Sequence, residues 1–538
     1  MIQKFFTSES KTVTGAALLI SLATLASRVV GIARDRVFAH TFGAGPVLDA
    51  YYAAFKIPDL VYNLLIVGAL TAGFIPTFTR LLTQNSSREN AWKLTNNVIN
   101  IIGFLIGVCS ILGAIFASRL TTIIFPGFGT SSHELASQMT RVIFISPFIL
   151  GISMVMGGIL QSLRQFLLYS LAPVFYNLGI IIGAIILVPR VGPIGLAWGV
   201  VLGALLHLMV QTMGAISNGY RWRWSFRLTD PDTRQIGKLM IPRTLGLGLT
   251  QLNLIIMTSF ATLLTTGSVA VYNFANNLQA VPTGIISIPF ALAVFPLLAS
   301  LDAKGDKETF IEKLHYTVRT ILFLITPLAV IMLLLRAQIV RVVLGSGAFD
   351  WGATIATANT LAFFALGLFG QALIPLFARA FYARSNTKTP FIIGVVAELI
   401  TLGAAYWLMQ KYGVAGLALG GSIGVSINAL LLAIYLRRDL GRLHGQETLF
   451  FINKIALSAL VMGLTVQLLK TPLGLLLNLR YFWGILLHGL IAGSIGCVVY
   501  ILMLRLLKVK EAGEFISGFR KQWLKFSPVK EGIDEAEL

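Results

Sequence analysis

Charge is what this chain has least of. Asp, Glu, Lys and Arg together make up 12% of 538 residues, against 56% hydrophobic residues, and the mean hydropathy is +0.81. A soluble domain of this length needs far more charge on its surface, so soluble enzymes and soluble nucleic-acid-binding proteins are excluded. Acid is scarcer than base, 22 residues against 42. The only cysteines, Cys109 and Cys497, both fall in apolar runs, which leaves no disulfide framework and no Cys-based metal spacing. A Gly-Lys-Ser/Thr phosphate loop and paired His at metal spacing are also missing. The chain therefore reads as a non-enzyme with no bound cofactor and no metal. The opening MIQKFFTSES has no small-residue cleavage site, and the apolar run after it is longer than a signal-peptide core. That run is expected to stay as the first span.

Long apolar runs are what is present. They recur at membrane-spanning length near 13–38, 48–79, 92–117, 138–162, 166–188, 194–217, 237–265, 270–299, 316–335, 356–381, 390–410, 414–436, 451–469 and 482–506. The expected fold is all-α, a polytopic membrane protein of about fourteen transmembrane helices. Lys and Arg concentrate in alternate loops, and the positive-inside rule then puts both termini in the cytoplasm. The net charge of +20 is mostly this topology. Beyond the last span, Phe515, Ile516, Phe519, Trp523 and Leu524 interleave with Arg520, Lys521 and Lys525. The stretch fits an interfacial helix on an anionic leaflet or an ordinary cytoplasmic cap equally well.

The runs also repeat. Tyr52 and Pro76 match Tyr272 and Pro296, 220 residues on; Gly192, Gly195, Leu196, Ala197 and Gly199 recur as Gly413, Gly416, Leu417, Ala418 and Gly420, 221 on. Arg119 and its apolar stretch after span 3 resemble Arg336 and its stretch after span 9. Single matches between Gly-rich helices arise by chance, but three near one offset do not. Six spans separate the copies, an even number, so the halves insert in the same orientation with cargo expected between them. This divides the chain into an N-lobe 1–217, a C-lobe 218–440, spans 13–14 at 441–507 and a cytoplasmic tail 508–538. Pro58, Pro76, Pro147, Pro242, Pro282, Pro296 and Pro375 mark expected bends within spans.

Arg28, Lys56 and Arg243 lie inside spans, where an ionisable side chain is costly and usually faces an internal cavity. A cationic surplus points to an anionic cargo. Each has a structural alternative. Arg28 and Arg243 can snorkel to an interface, and Lys56 stands three residues before Asp59, at the spacing of an intrahelical ion pair. Glu398, deep in span 11, reads either as a coupling-ion or proton site or as a partner for a nearby polar group. Asn253, Asn273, Asn276, Asn277, Gln279 and Gln371 add amides to spans 7, 8 and 10. His207 and His488, isolated in apolar runs, read as structural.

Specific motifs add a family. Ala26-Ser-Arg-Val-Val-Gly-Ile-Ala-Arg-Asp35, Phe42-Gly-Ala-Gly45 and Asp49-Ala-Tyr-Tyr-Ala-Ala-Phe-Lys-Ile-Pro58 resemble the start of the MurJ (MviN) lipid II flippases. Phe125-Pro-Gly-Phe128, Ala172-Pro173 and Phe381-Tyr-Ala-Arg-Ser-Asn-Thr-Lys-Thr-Pro390 extend the resemblance over essentially the whole chain. It implies a flippase of the multidrug/oligosaccharidyl-lipid/polysaccharide exporter superfamily in the bacterial inner membrane. Two lobes would enclose a cavity, and spans 13–14 would add a groove for a polyprenyl tail. The cargo would be the undecaprenyl-pyrophosphate-linked peptidoglycan precursor, and Ser27, Arg28, Arg34 and Asp49 fall on positions the family uses in or beside the cavity. The chain departs from the family late in span 2 and in mid span 8. Where many members carry further charges, it has Tyr62, Asn63 and Val67, and then Asn276, Asn277 and Ala280.

The expected function is thus lipid II flipping by alternating access, with Ser27, Arg28, Arg34, Asp49, Arg243, Asn276 and Asn277 as substrate-binding residues. Glu398 and Asn253 are the candidates for coupling to a monovalent cation or to the membrane potential. The expected partners are a polyprenyl-diphosphate-linked saccharide, membrane lipids and other cell-wall synthesis proteins, not nucleic acid. The alternatives are a lipid-linked polysaccharide flippase, a drug/cation antiporter and a non-transporting cell-wall scaffold. A diphosphate needs opposing charge in a low-dielectric cavity, and the planar fork of Arg matches its oxygens better than a Lys point charge. Arg28→Ala should therefore abolish transport at normal abundance, Arg28→Lys should impair it, and Lys56→Ala should matter less because Asp59 neutralises that charge. Growth of a flippase-depleted strain carrying each variant, with immunoblotting of the membranes, checks the order.

Overall fold

The computed structural model describes residues 13–67, 73–84, 88–441, 445–514 and 517. Among these every regular element is helical. Ten helices are long and apolar enough to cross a membrane, and the pair Trp351–Leu366 and Leu368–Ala383, bent by 44°, makes an eleventh. The other expected spans correspond to the helices Val13–Phe42, Pro46–Tyr62 and Pro231–Thr262, which stand outside that count. They are the three that carry Arg28, Lys56 and Arg243.

The chain forms two compact units. One holds the described residues up to Ala275 together with Val343–Thr360 and Leu402–Gly420; the other holds Asn276–Val342, Leu361–Thr401 and the described residues from Gly421 onward. In the first, Phe74, Phe78, Ile106 and Met156 centre an apolar core. In the second, Phe451, Met462, Tyr500 and Leu504 do the same. Outward faces are apolar as well: Ile115 is 64% exposed and Leu475 85% exposed, as lipid-facing side chains are.

The backbone carries the repeat in its irregularities. A π-helical turn at Asn63–Val67 returns at Thr283–Ser287, 220 residues on, whereas the π turn at Gly183–Leu187 has no counterpart in the regular helix Lys388–Tyr412. Left-handed residues at helix-to-helix turns also pair, Arg164 (φ 59°) with Ser385 (φ 56°) and Gly192 (φ 73°) with Gly413 (φ 56°), each pair 221 apart. Phe116 and Leu335 interrupt equivalent helices, and an eight-residue helix follows each break, Ala117–Ile124 and Arg336–Val343.

Several boundaries differ from the apolar runs. Span 7 begins early, at Pro231, because the Asp230 side chain caps the helix by accepting from the Thr233 amide at 2.8 Å and Pro tolerates the first turn. The bend in span 10 falls at Gly367 and not at Pro375. A Cβ at Gly367 would meet the Ser422 side chain 2.6 Å away, so close packing, not proline, sets the bend's position. Of the tail beyond the last span, residues 515–516 and 518–538, which include the aromatic and basic positions singled out above, lie outside the described residues.

The helices Phe166–Ile182 and Gly195–Ser217 approach backbone to backbone: a Cβ at Gly203 would collide with the Tyr176 carbonyl. Gly203→Val should therefore destabilise the protein by about 1–3 kcal/mol, whereas Gly394→Ala, with open space around it in a helix interior, should not lower stability and should raise it by up to about 1 kcal/mol. Thermal unfolding of the two purified variants in detergent is the check.

Candidate functional site: cations and amides among apolar helices

The site is built on the Pro46–Tyr62 helix. Gly45 and Pro46 start it, and it buries Asp49, Tyr51 and Tyr52 among apolar neighbours. Asp49, 4% exposed, directs one oxygen to the Gly267 amide at 2.5 Å and the other to the Ala270 amide at 2.8 Å. These are orphan donors at the start of the Ser268–Pro282 helix. Asp49 is thus an N-cap supplied from a distant part of the chain, and its carboxylate also favours the positive end of the helix dipole.

Arg34 lies on the Val13–Phe42 helix. Its guanidinium donates to Asp35 Oδ1 through Nε at 3.1 Å and Nη2 at 2.8 Å, and to Asn177 Oδ1 through Nη1 at 3.1 Å. It also stands 5.8 Å above the Phe38 ring. Phe38, Tyr51, Tyr52 and Phe274 meet edge to face, with centroids 5.1–6.5 Å apart, and so connect the Arg34 region with the Ser268–Pro282 helix. The Tyr52 hydroxyl is buried and without a hydrogen-bond partner among the described residues.

Lys56 corrects an expectation. Its Nζ donates to Asn273 Oδ1 at 3.4 Å, and the ion pair with Asp59 is not formed. The Asp59 side chain is instead exposed; its carbonyl accepts from Gln251 Nε2 at 3.1 Å. Where the helix opens into its π turn, the Thr244 hydroxyl donates to the Leu64 carbonyl at 3.0 Å, meeting a backbone acceptor that the altered ladder disturbs.

The first unit thus gathers Arg34, Asp49 and Lys56 around one aromatic-lined region. Ser27, half-buried, precedes Arg34 by two helical turns and shares its face, while Arg28, also half-buried, lies on the face of Asp35. Asn253 is half-buried on the Pro231–Thr262 helix of the same unit. Arg243 sits on that helix too, but its side chain lies outside the described residues. Asn276, Asn277 and Glu398 belong to the second unit; Asn276 Oδ1 accepts from Gln279 Nε2 at 3.2 Å, and Glu398 is half-buried on the Lys388–Tyr412 helix. Asn177 was not singled out in the sequence, although an amide inside an apolar span was a signal for it. His207 pairs with Ser153 at 2.7 Å and His488 with the Lys470 carbonyl at 3.0 Å, both structural contacts.

Ionisable and amide side chains gathered within a polytopic helical bundle define an integral membrane protein of the transporter class. Solved structures agree on the fold. It is similar to the structure described as "Lipid II flippase MurJ, inward closed conformation" (TM-score 0.75, 24% identity, 91% of this chain and 98% of that one). It is also similar to an inward-facing multidrug resistance MATE family transporter of the MOP superfamily (TM-score 0.64, 16% identity, 80% and 99%). The family model for the lipid II flippase MurJ matches residues 38–483, and the chain belongs to that family. It is 30% identical over 439 residues to the lipid II flippase MurJ of Burkholderia cenocepacia, covering 79% of this chain and 83% of the relative.

Removing the trans cap tests the Asp49 assignment. Asp49→Ala should cost about 0.5–2 kcal/mol and Asp49→Asn less, because the amide oxygen still accepts one bond; the shift in thermal unfolding midpoint of the purified variants measures it.

Proposed function

We propose that this chain moves lipid II from the inner to the outer leaflet of the bacterial inner membrane, with both termini in the cytoplasm. The observation that carries the reading is the group of Arg34, Lys56, Asn177 and Asn273 among apolar helices. Such groups are costly in hydrocarbon and suit a cargo with an anionic diphosphate and a hydroxyl-rich saccharide. Arg34 offers a guanidinium fork for phosphate oxygens, Lys56 a second positive charge, and the unpartnered Tyr52 hydroxyl a further donor. Arg28 and Arg243 extend the cationic path along spans 1 and 7, with Ser27, Asn276 and Asn277 as polar contacts for the head group. Asp49 acts by holding the Ser268–Pro282 helix in place.

The lobes 1–217 and 218–440 alternate access to the cavity, and the π turn in span 2 supplies a point where that helix re-angles. The polyprenyl tail stays in lipid along the surface of spans 13–14. Glu398 and Asn253 are the proposed coupling site for a monovalent cation, with the membrane potential as the other source of drive. No covalent step is involved, so the protein acts without catalytic residues or a cofactor. Other cell-wall synthesis proteins are its proposed partners.

Vesicles containing the purified chain and head-group-labelled lipid II test the reading through the label's accessibility to an external reagent. Wild type should equilibrate the lipid. Arg34→Ala should slow it by about tenfold or more, and so should Lys56→Ala, since Lys56 bonds Asn273 and not Asp59; each change removes a charge-assisted contact of about 1.5–3 kcal/mol. A folded wild-type protein that moves no lipid II would leave the scaffold reading standing instead.

A further inference from the structure

The connection between the two halves is an extended ribbon, Tyr220-Arg-Trp-Arg-Trp-Ser-Phe-Arg227, held on the Glu89–Ile115 helix by three asparagines. Asn96 accepts from the Tyr220 hydroxyl at 2.8 Å and from the Arg223 amide at 3.1 Å. Asn97 accepts from the Arg227 amide at 2.6 Å and donates to the Arg227 carbonyl at 2.8 Å. Asn100 donates to the Ser225 carbonyl at 2.9 Å and accepts from Trp222 Nε1 at 3.2 Å. The ribbon's backbone is thus fixed and Tyr220 is buried, while Trp222 is 59% and Trp224 72% exposed, and Arg221, Arg223 and Arg227 are exposed too. None of these three Arg forms an ion pair among the described residues. Phe226 touches Phe104, an exposed ring on an apolar helix, with centroids 5.7 Å apart, so the ribbon lies at the lipid boundary.

Beneath Arg221 and Trp222 lies a slot of about 530 Å³ walled by Ile99, Ile152, Met156 and Leu208. The Thr212 hydroxyl also lines it and has no hydrogen-bond partner among the described residues. The other half contains the same slot in repeat register. Met156, Thr212 and Ile216 correspond, 221 residues on, to Phe377, Ala433 and Arg437, which line a smaller cavity of about 310 Å³. There Thr448, Leu449 and Ile452 of the Gly445–Leu476 helix form part of the wall. The first half has no counterpart of that helix in the repeat, and Ile216 at its slot is 58% exposed.

We infer that this slot is a binding site for an anionic glycerophospholipid of the bilayer, distinct from the cargo. One acyl chain lies against Ile99, Met156 and Leu208, the phosphate meets Arg221 and Arg223, and the Trp222 indole packs at the head-group level. Apolar walls, uncompensated guanidinium groups and interfacial Trp at one mouth match that chemistry. The lipid takes the place that the Gly445–Leu476 helix fills in the other half.

The full-length protein, delipidated in detergent and titrated with phosphatidylglycerol or phosphatidylethanolamine under native mass spectrometry, tests this. Wild type should bind phosphatidylglycerol saturably and in preference to phosphatidylethanolamine. The pair Arg221→Gln/Arg223→Gln should weaken it by about tenfold, and Leu208→Trp, which fills the slot, should abolish it. Ile216→Phe serves where the tryptophan variant fails to reach a wild-type unfolding midpoint. Unchanged binding in the charge or slot variants would overturn the site. Loss in the charge variant alone would overturn the slot, and competition by inorganic phosphate at equal affinity would overturn the lipid as ligand.

Discussion

Every polar group inside this protein has to replace the water it gave up, and that constraint decides how the helices are tied together. A guanidinium or carboxylate among apolar helices costs several kcal/mol unless other groups meet its hydrogen bonds. Arg34 meets the demand with Asp35 and with Asn177 on another helix; Asp49 meets it with two backbone amides at the start of the Ser268–Pro282 helix; Lys56 meets it with Asn273, further along that same helix. Each polar residue is therefore a strap between elements far apart in the chain. Two of the straps lie about two helical turns apart on the Pro46–Tyr62 helix and hold it against the same neighbour.

Beyond those straps the helix changes character. The π turn at Asn63–Val67 follows, and on the helix Ile75–Gln84 Arg80 forms an ion pair with Asp232. The pair is partly solvent-exposed, so its own contribution is small, about 0–1 kcal/mol. One end of this span is thus tied by buried polar contacts, while the other is held by Phe78 in the apolar core.

What was legible in the sequence is what depends on composition and local period. Apolar runs located the spans, and the motif around Arg34 and Asp49 located the region where the polar ties gather. What was not legible depends on partners remote in the chain. Asp49 has the residue type of a ligand-binding carboxylate, and nothing nearby in sequence says that its acceptors face amides 218 and 221 residues away. Lys56 and Asp59 have the spacing of an ion pair, but Asn273 competes for the ammonium without bringing a second charge into the interior. Asn96, Asn97 and Asn100 carry no signal of their own in the sequence, yet they hold the backbone of the Tyr220–Arg227 ribbon. The prolines were read as bend markers by their missing amide, whereas the 44° bend in span 10 falls at Gly367, where a Cβ would meet Ser422.

The two halves show how duplication and specialisation divide between backbone and side chain. A π turn in a membrane helix disturbs hydrogen bonds that lipid cannot replace, and a left-handed non-glycine residue carries strain. Such features are hard to acquire separately, and here both kinds recur in register, at 63 and 283 and at 164 and 385. The side chains laid on this shared frame have diverged: Asn63 faces Thr283 in the alignment, Met156 faces Phe377, and Ile216 faces Arg437. The first half holds Arg28, Arg34 and Lys56 inside its spans, and the second holds Arg243 with Asn276, Asn277 and Glu398. Three such cations against one give the first half the stronger positive field, while the amides and the carboxylate of the second suit uncharged hydroxyls or a cation better than an anion.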